Sequence, residues 1–482
     1  MQRRRRRLLS TEFESDKELR KKKRLERMAT RTARSEKSAK IMKLPNKEQW
    51  KRFKDALTKR PRDLKEFADR TSSYLVGRTV NVSGLRGMFE KHEDTTKTFF
   101  SKTLLFIDKM ALELPNLLNS KHIKYDVVLP SDREIGMDFC PLLESFEAPS
   151  KVFLDRRLVL SLLANCFLCS LPSTGRRDMP GNSFLDLFSA GRAPQEIAKL
   201  RMFVHYFERA MESIPTGTFE IHRCFVDSSK MTLDKWCKTD TPLGEVALVK
   251  LKYGLEETYH EDPSVLQVDF ANMYLGGGVL SGGCVQEEIR FSISPELVVG
   301  MFFCPVMMDS EAIHLVGSEQ FSLYKGYGFS LCYGGDFKDP TARKCDGSVR
   351  TALTAIDALD GRCMGRYFPS QWRENNILRE LNKAYAGFVR ENKSTKEEHY
   401  KEIATGTTFF FLYNVTTTTT TTTQVIGVVE HFKVISPSRV YCNGLRCQLR
   451  DENVCSTFRS TRTHSQMSFR CFFVKLVRTI QN

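Results

Sequence analysis

Apolar residues recur at helical spacing through the first half of the chain. They predict three helices, at about 97–115, 155–172 and 194–215, each ending at a proline. The third also begins at a proline, Pro194, which is favourable in a first helical turn. The second is apolar nearly all round, as a buried helix is. Residues 95–215 are therefore predicted to form a mostly helical layer.

The pattern changes after residue 215. Short runs rich in β-branched and aromatic residues predict strands at 219–226, 246–251, 265–269, 312–316, 328–333, 352–358 and 402–405. A helical pattern at 371–389 lies between the last two of these strands. Strands mixed with a helix in this way indicate an α/β domain.

The net charge of +16 is unevenly distributed along the chain. Residues 1–43 contain 17 Lys and Arg against 6 Asp and Glu, and therefore +11 of this charge. Few apolar residues separate the basic clusters at 3–7 and 20–24, so the segment is predicted to be a disordered arm. This composition fits a functional segment, either a nuclear localisation signal or a tail that binds phosphate groups. It fits a solvated basic linker equally well. The rest of the chain has only a small excess of positive charge, which does not indicate a dedicated DNA-binding surface.

These patterns divide the chain into four regions. Residues 1–75 are predicted to be the basic arm, 76–215 a helical accessory region, 216–406 the α/β core and 407–482 a tail. The tail contains the threonine run Thr416–Thr423, and beyond it Arg, Ser, Thr and Cys are scattered without periodicity. It predicts no particular fold.

Hydropathy and cysteine content bear on the compartment. No stretch approaches the roughly 20 apolar residues of a membrane helix. The charged N-terminus lacks the apolar segment of a signal peptide. We therefore expect no membrane partner and a reducing compartment, in which the 14 cysteines are thiols.

Candidate chemistry is concentrated between residues 268 and 291. A predicted strand ends near Asp269, the triplet Gly276–Gly278 follows, and a helical turn carries Glu287 and Glu288. Consecutive glycines let a backbone approach a ligand and turn its N–H groups towards anionic oxygens. A carboxyl group beside such a loop can act as acid and then as base in the cleavage of a glycosidic bond. A plain turn and a solvated helix face would explain the same residues.

Several blocks around this segment occur in the order of a known family. They are Ser161–Asn165, Pro215–Gly217, Gln267–Asn272, Gly276–Gly278, Gln286–Phe291, Glu319–Ser322, Gly326–Tyr327, Ala355–Leu359 and Arg379–Tyr385. Together they resemble the poly(ADP-ribose) glycohydrolase family over roughly residues 95–406. The resemblance implies an α/β fold, a macrodomain-like mixed sheet flanked by helices, with an N-terminal helical accessory region.

The resemblance also implies an activity and a setting. The expected reaction is hydrolysis of the ribose–ribose bonds of poly(ADP-ribose), with neither a metal nor a cofactor. The expected partners are the polymer and ADP-ribosylated proteins, without a membrane or sequence-specific nucleic acid, and the expected state is a monomer. The nucleus is the expected location, with the cytoplasm as a second one, and the DNA damage response the expected process.

Residue roles follow from the same resemblance. Glu288 would be the catalytic acid, which protonates the leaving ribose oxygen and then activates water, while Glu287 would hold the scissile ribose. The residues implied in substrate binding are Asp269, Asn272, Gly276, Gly277, Gly278, Gln286 (facing the diphosphate), Tyr327 (closing over the substrate) and Glu256 (at the adenine).

The chain departs from the family pattern after Gly406. Thr407, Thr408 and Phe409 stand where the family has an asparagine and a Gly-rich segment that wraps the diphosphate. Read-through of an unspliced intron, or a truncated isoform, would account for the change. Two functions therefore stay open, an active glycohydrolase and a catalytically inactive poly(ADP-ribose)-binding protein. A basic-armed nucleic-acid-binding protein ranks third, because the aromatic–basic interleaving of an RNA-binding sheet is missing.

Overall fold

The computed structural model describes thirteen stretches of the chain. They are residues 41–126, 134–144, 150–173, 175–191, 193–238, 247–250, 265–359, 374–388, 402–405, 414–419, 422–427, 439–442 and 445–448. The chain divides into two compact units, Met1–Met42 and Lys43–Asn482. Residues 41 and 42 apart, everything described below belongs to the second unit.

The second unit contains one large mixed sheet, built from eight of the ten described strands that precede the tail. The strands are β1 (Ile123–Tyr125), β2 (Ser150–Asp155), β3 (Thr218–Phe225), β4 (Ala247–Lys250), β5 (Val265–Ala271), β6 (Glu311–Val316), β7 (Ser322–Lys325), β8 (Cys332–Asp336), β9 (Ala352–Asp357) and β10 (Glu402–Thr405). Eight of them form the sheet in the order β1-β2-β3-β6-β9-β5-β10-β4. Strands β9, β5, β10 and β4 run parallel to one another, and the remaining neighbours are antiparallel. The predicted mixed α/β sheet is confirmed.

Two of these strands come from the region predicted to be helical. Strand β2 pairs with β3 in antiparallel register, from Ser150 opposite Arg223 to Asp155 opposite Thr218, and β1 extends the sheet beyond it. Val152 and Leu154 are buried between less buried neighbours, which is the alternation of a strand. The run is short and leads directly into a helix, and the prediction of a helical layer missed it for that reason.

Helices precede the sheet and cover it. They are α1 (Lys47–Leu57), α2 (Leu64–Tyr74), α3 (Ser83–Lys91), α4 (Glu93–Thr98), α5 (Leu104–Leu112), α6 (Leu114–Leu117), α7 (Arg156–Phe167), α8 (Leu185–Phe188), α9 (Pro194–Glu212), α10 (Leu233–Lys238), α11 (Gln286–Ile293), α12 (Gly300–Phe303) and α13 (Glu374–Phe388). Helices α7, α9 and α13 match the patterns predicted at 155–172, 194–215 and 371–389.

Helices α1 and α2 correct the predicted arm. The prediction of a disordered arm over residues 1–75 is wrong for its last part, because Phe53 and Phe67 are buried on these helices. Asn46 caps α1 by accepting from the backbone N–H of Gln49, and Asp63 caps α2 in the same way through Glu66. The two amphipathic helices were not predicted, because the high charge of this segment is also typical of disordered chain.

The helix predicted at 97–115 is built from several segments. A π-helical turn, Phe99–Thr103, connects α4 to α5, and Pro115 lies inside the extra turn α6 instead of ending the helix. A proline is tolerated there because the first N–H groups of a helix need no partner within it.

The strand predicted at 328–333 is also corrected. Gly328–Ser330 forms a 3-10 turn, and strand β8 begins only at Cys332 and pairs with β7. The turn is tight, because a Cβ atom at Gly326 (φ +74°) would lie 2.1 Å from the carbonyl oxygen of Ser330. A hairpin that requires left-handed backbone here replaces the continuous strand.

The described parts of the tail form two hairpins. Asn414–Thr419 pairs with Thr422–Gly427, and Arg439–Cys442 pairs with Leu445–Gln448, both in antiparallel register. The tail was predicted to have no particular fold, and the threonine run contributes to both strands of the first hairpin. Among the helices that the structure describes, none has the length and apolar character that crossing a bilayer requires.

The two faces of the sheet are covered by different helices. Leu266 and Val268 of β5 pack with Leu381 and Ala384 of α13 in one apolar cluster. Side chains alternate along a strand, so Gln267 and Asp269 point to the opposite face. Helix α9 packs against α11, with Ala198 and Met202 of α9 meeting Ile289 and Ile293 of α11, and this cluster is distinct from the first.

A buried ion pair connects the helical region to the segment after α11. Arg156, the first residue of α7, donates to both carboxylate oxygens of Glu296 at 2.8 and 3.0 Å and to Glu319 at 2.8 Å. Glu296 lies in the turn that directly follows α11. Removal of one partner of a buried pair typically costs about 3–5 kcal/mol, so this contact fixes α11 relative to the helical region.

Candidate active site

Strand β5 ends at the site. It pairs with β9 as far as Ala271 opposite Asp357, so the two strands end side by side. Ligands bind at the carboxyl ends of strands in open α/β sheets. Asp269 is fully buried on the face away from α13. Neither of its carboxylate oxygens has a hydrogen-bond partner among the described residues.

The glycine triplet passes directly over two carboxylates. Gly276 and Gly277 have φ values of +83° and +50°, in the left-handed region that favours glycine. A Cβ atom at Gly277 would lie 2.5 Å from Glu288 Oε1 and 2.7 Å from Glu287 Oε2. The chain can follow this path only with glycine at position 277.

Each glutamate of the pair is held by two backbone N–H groups. Glu287 accepts from Gly276 at 2.7 Å and from Asn272 at 2.9 Å. Glu288 accepts from Gly278 and from Val285, both at 2.9 Å. The Val285 contact is that of a capping-box glutamate at the third helical position, so Glu288 also caps α11.

Helix α11 is not a solvated face. All eight of its residues are buried, and Glu287 and Glu288 are only 2% and 7% exposed. The alternative of an ordinary charged surface helix is therefore excluded. Acidic groups in a first helical turn interact favourably with the helix dipole, which helps to offset this burial.

Gln286 completes the free edge of β5. Strand β10 pairs with β5 only as far as Gln267. Beyond it, the Gln286 side chain accepts from Phe270 N at 3.0 Å and donates to Val268 O at 3.1 Å. This amide thus occupies the hydrogen-bonding positions of a neighbouring strand and aligns α11 with the end of β5.

Burial controls the protonation of these acids. Burial raises the pKa of Asp269 well above its usual value, and the neighbouring Glu288 carboxylate adds to the shift while Arg290 opposes it. Burial also raises the pKa of Glu287, and Asp269 contributes in the same direction. Raised pKa values of two carboxyl groups beside a third acid are typical of acid–base sites, because neighbouring like charges disfavour ionisation.

Arg290 is the cation of this cluster. It is almost completely buried, and burial lowers its pKa to about 10, while Asp339 and Asp269 oppose the shift. Its Nη1 donates to Ser294 Oγ at 3.2 Å. A buried guanidinium next to Asp269 partly compensates the carboxyl charge on the inner side of the site.

The arrangement can perform proton transfer next to a bound anion. Glu288 is fixed by two donors and lies against a loop of close-approaching backbone, so a ligand on that loop would place an oxygen near a carboxyl group of set orientation. Within the described residues, no three His, Cys, Asp or Glu side chains are grouped as a metal ion would need.

Comparison with known proteins identifies the family. The helical domain of the poly(ADP-ribose) glycohydrolase (PARG) family matches residues 91–223, and the macro domain fold of the same family matches residues 233–408. The two matches follow one another along the chain, and the second contains the site described above. This chain belongs to the poly(ADP-ribose) glycohydrolase family.

Individual glycohydrolases agree with this assignment. Poly(ADP-ribose) glycohydrolase 1 of Arabidopsis thaliana is 36% identical over 312 residues, which cover 64% of this chain and 54% of that protein. A probable poly(ADP-ribose) glycohydrolase 2 of the same plant is 34% identical, over 62% of this chain and 57% of its own. Poly(ADP-ribose) glycohydrolase 1 of Caenorhabditis elegans is 34% identical over 40% of this chain and 25% of its own. The chain thus spans little more than half the length of the plant glycohydrolases.

The structure brings most of the predicted glycohydrolase site together. Asp269, Gly276–Gly278, Gln286, Glu287 and Glu288 form one cluster. Asn272 borders it, with its backbone N–H on Glu287 and its exposed side chain accepting from Tyr274 N. The roles assigned to these residues stay predictions.

The other two predicted substrate-binding residues, Tyr327 and Glu256, lie outside the segment 268–291 that carries this cluster. Tyr327 precedes the 3-10 turn of the β7–β8 hairpin and is 37% exposed. Burial raises the pKa of Tyr324, on β7, to about 12, while Tyr327 adds to this shift and Arg290 opposes it. Glu256 falls outside the described residues.

One further residue contacts the candidate site and was not predicted from the sequence. Lys199 of α9 has no exposed surface, and its ammonium group contacts the carbonyl oxygens of the glycine loop. Its neighbours Ala198 and Leu200 are buried apolar residues, so a lysine within such a run was the available signal. A charged side chain is almost never fully buried without partners.

The unpartnered carboxyl of Asp269 gives a test of stability against pH. Because its folded-state pKa is raised above the unfolded value of about 3.9, Asp269 opposes folding increasingly as pH rises from that value towards the folded pKa. We expect Asp269→Asn to have a higher free energy of unfolding than the parent at pH 8, and the advantage to shrink at pH 4. Urea unfolding at both pH values measures this. A stability gain of Asp269→Asn over the parent that is smaller at pH 8 than at pH 4 would contradict the raised pKa of Asp269.

Proposed function

We propose that this protein hydrolyses the ribose–ribose O-glycosidic bonds of poly(ADP-ribose) and releases ADP-ribose. The observation that carries the proposal is the position of Glu288. Its carboxylate is held by Gly278 N and Val285 N at the start of a buried helix, directly beneath the glycine loop. The family match and the names of the plant relatives support this substrate class.

In this proposal the two glutamates divide the work. Glu288 enters the reaction in its protonated form and donates this proton to the leaving ribose oxygen as the glycosidic bond breaks, and the sugar carbon takes on oxocarbenium character. The resulting carboxylate then removes a proton from water as the water attacks that carbon. Glu287 has its folded pKa raised by burial and by Asp269, so in its neutral form it can donate to a ribose hydroxyl oxygen. The backbone of the glycine loop, whose Gly276 and Gly278 N–H groups bind the two glutamates, lies beside the diphosphate.

Radiolabelled polymer tests the proposal. The purified chain is incubated with labelled poly(ADP-ribose), and the products are separated by size. Release of ADP-ribose supports the proposal, while polymer that stays intact and bound points to the second candidate function. Polymer that is neither bound nor cut contradicts both.

The second candidate is a poly(ADP-ribose)-binding protein without activity. The observation that favours it is the end of the family match at residue 408, close to the point after Gly406 where the chain departs from the family pattern. A diphosphate that lost two backbone donors, each worth about 1.5–3 kcal/mol to a charged group, would bind more weakly by orders of magnitude. Calorimetry with ADP-ribose measures that affinity.

The proposed setting follows from the same substrate. ADP-ribosylated proteins and their polymer are the proposed partners of a monomeric enzyme in the nucleus, with the cytoplasm as a second location and the DNA damage response as the process. The basic charge of residues 1–43 supports a nuclear location, because Lys- and Arg-rich clusters can serve as localisation signals.

Removal of the arm tests its role. We expect a chain lacking residues 1–42 to keep the parent turnover, because the arm is a separate unit from the one that carries the site. A fluorescent fusion of the shortened chain should leave the nucleus, as imaging in cells would measure. A shortened fusion that stays fully nuclear would overturn the localisation, and a large fall in turnover would overturn the independence of the arm.

A further inference from the structure

Lys199 makes an unusual set of contacts. Its ammonium group donates to the carbonyl oxygens of Gly278 at 3.2 Å, Ser281 at 2.5 Å and Gly283 at 2.5 Å. An ammonium group has three N–H donors, and all three are used by one six-residue loop. The side chain is fully buried and comes from α9, 79 residues before Gly278.

The loop lies between Lys199 and Glu288. Gly278 offers its N–H to Glu288 Oε1 and its carbonyl oxygen to Lys199, so one residue connects the two side chains. A Cβ atom at Gly283, another carbonyl partner of Lys199, would lie 2.6 Å from Glu288 Oε1. The loop therefore has an ammonium group on one side and the carboxylate on the other.

The ammonium group also orients the amides of the loop. The described chain contains no cis peptide bond, and in a trans peptide the C=O and N–H groups point in opposite directions. Because the carbonyls of Ser281 and Gly283 face Lys199, the N–H groups of Gly282 and Cys284 face away from it. Without a cation at this place, three carbonyl oxygens would converge on one point and repel one another.

We propose that Lys199 is a positioning residue of the active site, which holds the glycine loop in the path that fixes Glu288. Lys199 does not touch the reacting bond and acts through Gly278 and its neighbours. The helical region thereby takes a direct part in the organisation of the site. The effect on catalysis rests on the proposed hydrolysis, while the effect on the loop does not.

The charge state of Lys199 gives this role a pH signature. Burial lowers the pKa of Lys199 to about 8, while the nearby Glu288, Cys284 and Glu196 oppose the shift. Above that pH a neutral amine has two donors for three carbonyls, and the loop should loosen. Arginine remains charged to far higher pH.

Three forms of the full chain are compared in the experiment, the parent, Lys199→Met and Lys199→Arg. We expect kcat on labelled polymer to fall at least about tenfold in Lys199→Met, with a smaller change in KM, as a misplaced carboxylate would cause. The parent should lose activity above about pH 8. Lys199→Met should lack this alkaline limb, and Lys199→Arg should recover part of the activity without it. An unchanged kcat, or the same limb in all three forms, would overturn the proposal.

Hydrogen exchange separates this inference from the proposed function. Amides of residues 276–285 should exchange faster in Lys199→Met, and in the parent when pH rises through 8 after correction for intrinsic rates. Lys383→Met, which removes a buried lysine bound to Met308 O and Asp357, is the matched control and should leave these amides unchanged. If the parent cuts no polymer but the loop responds in this way, the hydrolase proposal fails and the positioning role stands. If neither Lys199→Met nor the rise in pH changes exchange in the loop, the positioning role of Lys199 is overturned, even in an active enzyme.

Discussion

Glu288→Gln is expected to reduce hydrolysis of poly(ADP-ribose) by about 10²–10⁴-fold, because this is the usual contribution of a positioned general acid–base group. A glutamine has the size of the glutamate but neither donates nor accepts the transferred proton. ADP-ribose binding should survive, since the glycine loop is retained. Rates on labelled polymer and calorimetry with ADP-ribose measure the two effects.

The structure adds a cost to this substitution. Glu288 accepts from both Gly278 N and Val285 N, and an amide has only one oxygen, so one of these donors would face an NH₂ group. We expect a loss of about 1–3 kcal/mol in the free energy of unfolding. The exposed Glu212, at the end of α9, provides a control in Glu212→Gln, which should match the parent in both respects. Parent-like hydrolysis by Glu288→Gln would exclude Glu288 as the catalytic acid.

Gly277→Ala is expected to lower hydrolysis by about 10²-fold or more, because a displacement of about 1 Å at a reacting group has that effect. The added methyl group would lie 2.5 and 2.7 Å from the carboxylates of Glu288 and Glu287, which cannot keep their places. Unlike Glu288→Gln, this variant keeps every ionisable group. Its effect therefore reports position alone, and it is measured as kcat on labelled polymer.

A second glycine controls for backbone strain. Gly77 also has a positive φ, +74°, but nothing lies within 4 Å of the place a Cβ atom would take. Gly77→Ala should cost about 1–2 kcal/mol of stability, as a left-handed alanine does, and should leave hydrolysis unchanged. If both alanine variants lose activity equally, strain and not the displaced carboxylates is responsible.

The sequence by itself determined the elements and their order. Apolar periodicity located α7, α9 and α13 and most strands of the sheet, because burial of one face repeats at the period of the element that buries it. The strand, glycine loop and glutamate pair follow one another within about 20 residues. Local order of this kind survives any tertiary arrangement, so the nearness of the glycine loop to Glu287 and Glu288 could be predicted from it.

Helices α1 and α2 and strand β2 were not predicted, because local patterns do not report them. The charge of residues 44–75 masked α1 and α2, whose buried side chains are few and spaced by polar ones. Strand β2 is six residues long and lies in a helical context, where no local signal says that it will pair with β3. Composition and short windows do not report pairing partners, since those partners are distant in sequence.

Only the tertiary structure decided which groups meet. The two N–H donors on each glutamate depend on the path of the loop. The hydrogen bonds between Gln286 and β5 depend on how far β10 pairs with that strand. Asp269 is fully buried, and its carboxylate has no hydrogen-bond partner among the described residues. Lys199 reaches the loop from a helix 79 residues earlier. Such contacts combine electrostatics with geometry over long separations, and a sequence pattern reports neither the distance between two groups nor the solvent that burial removes from them.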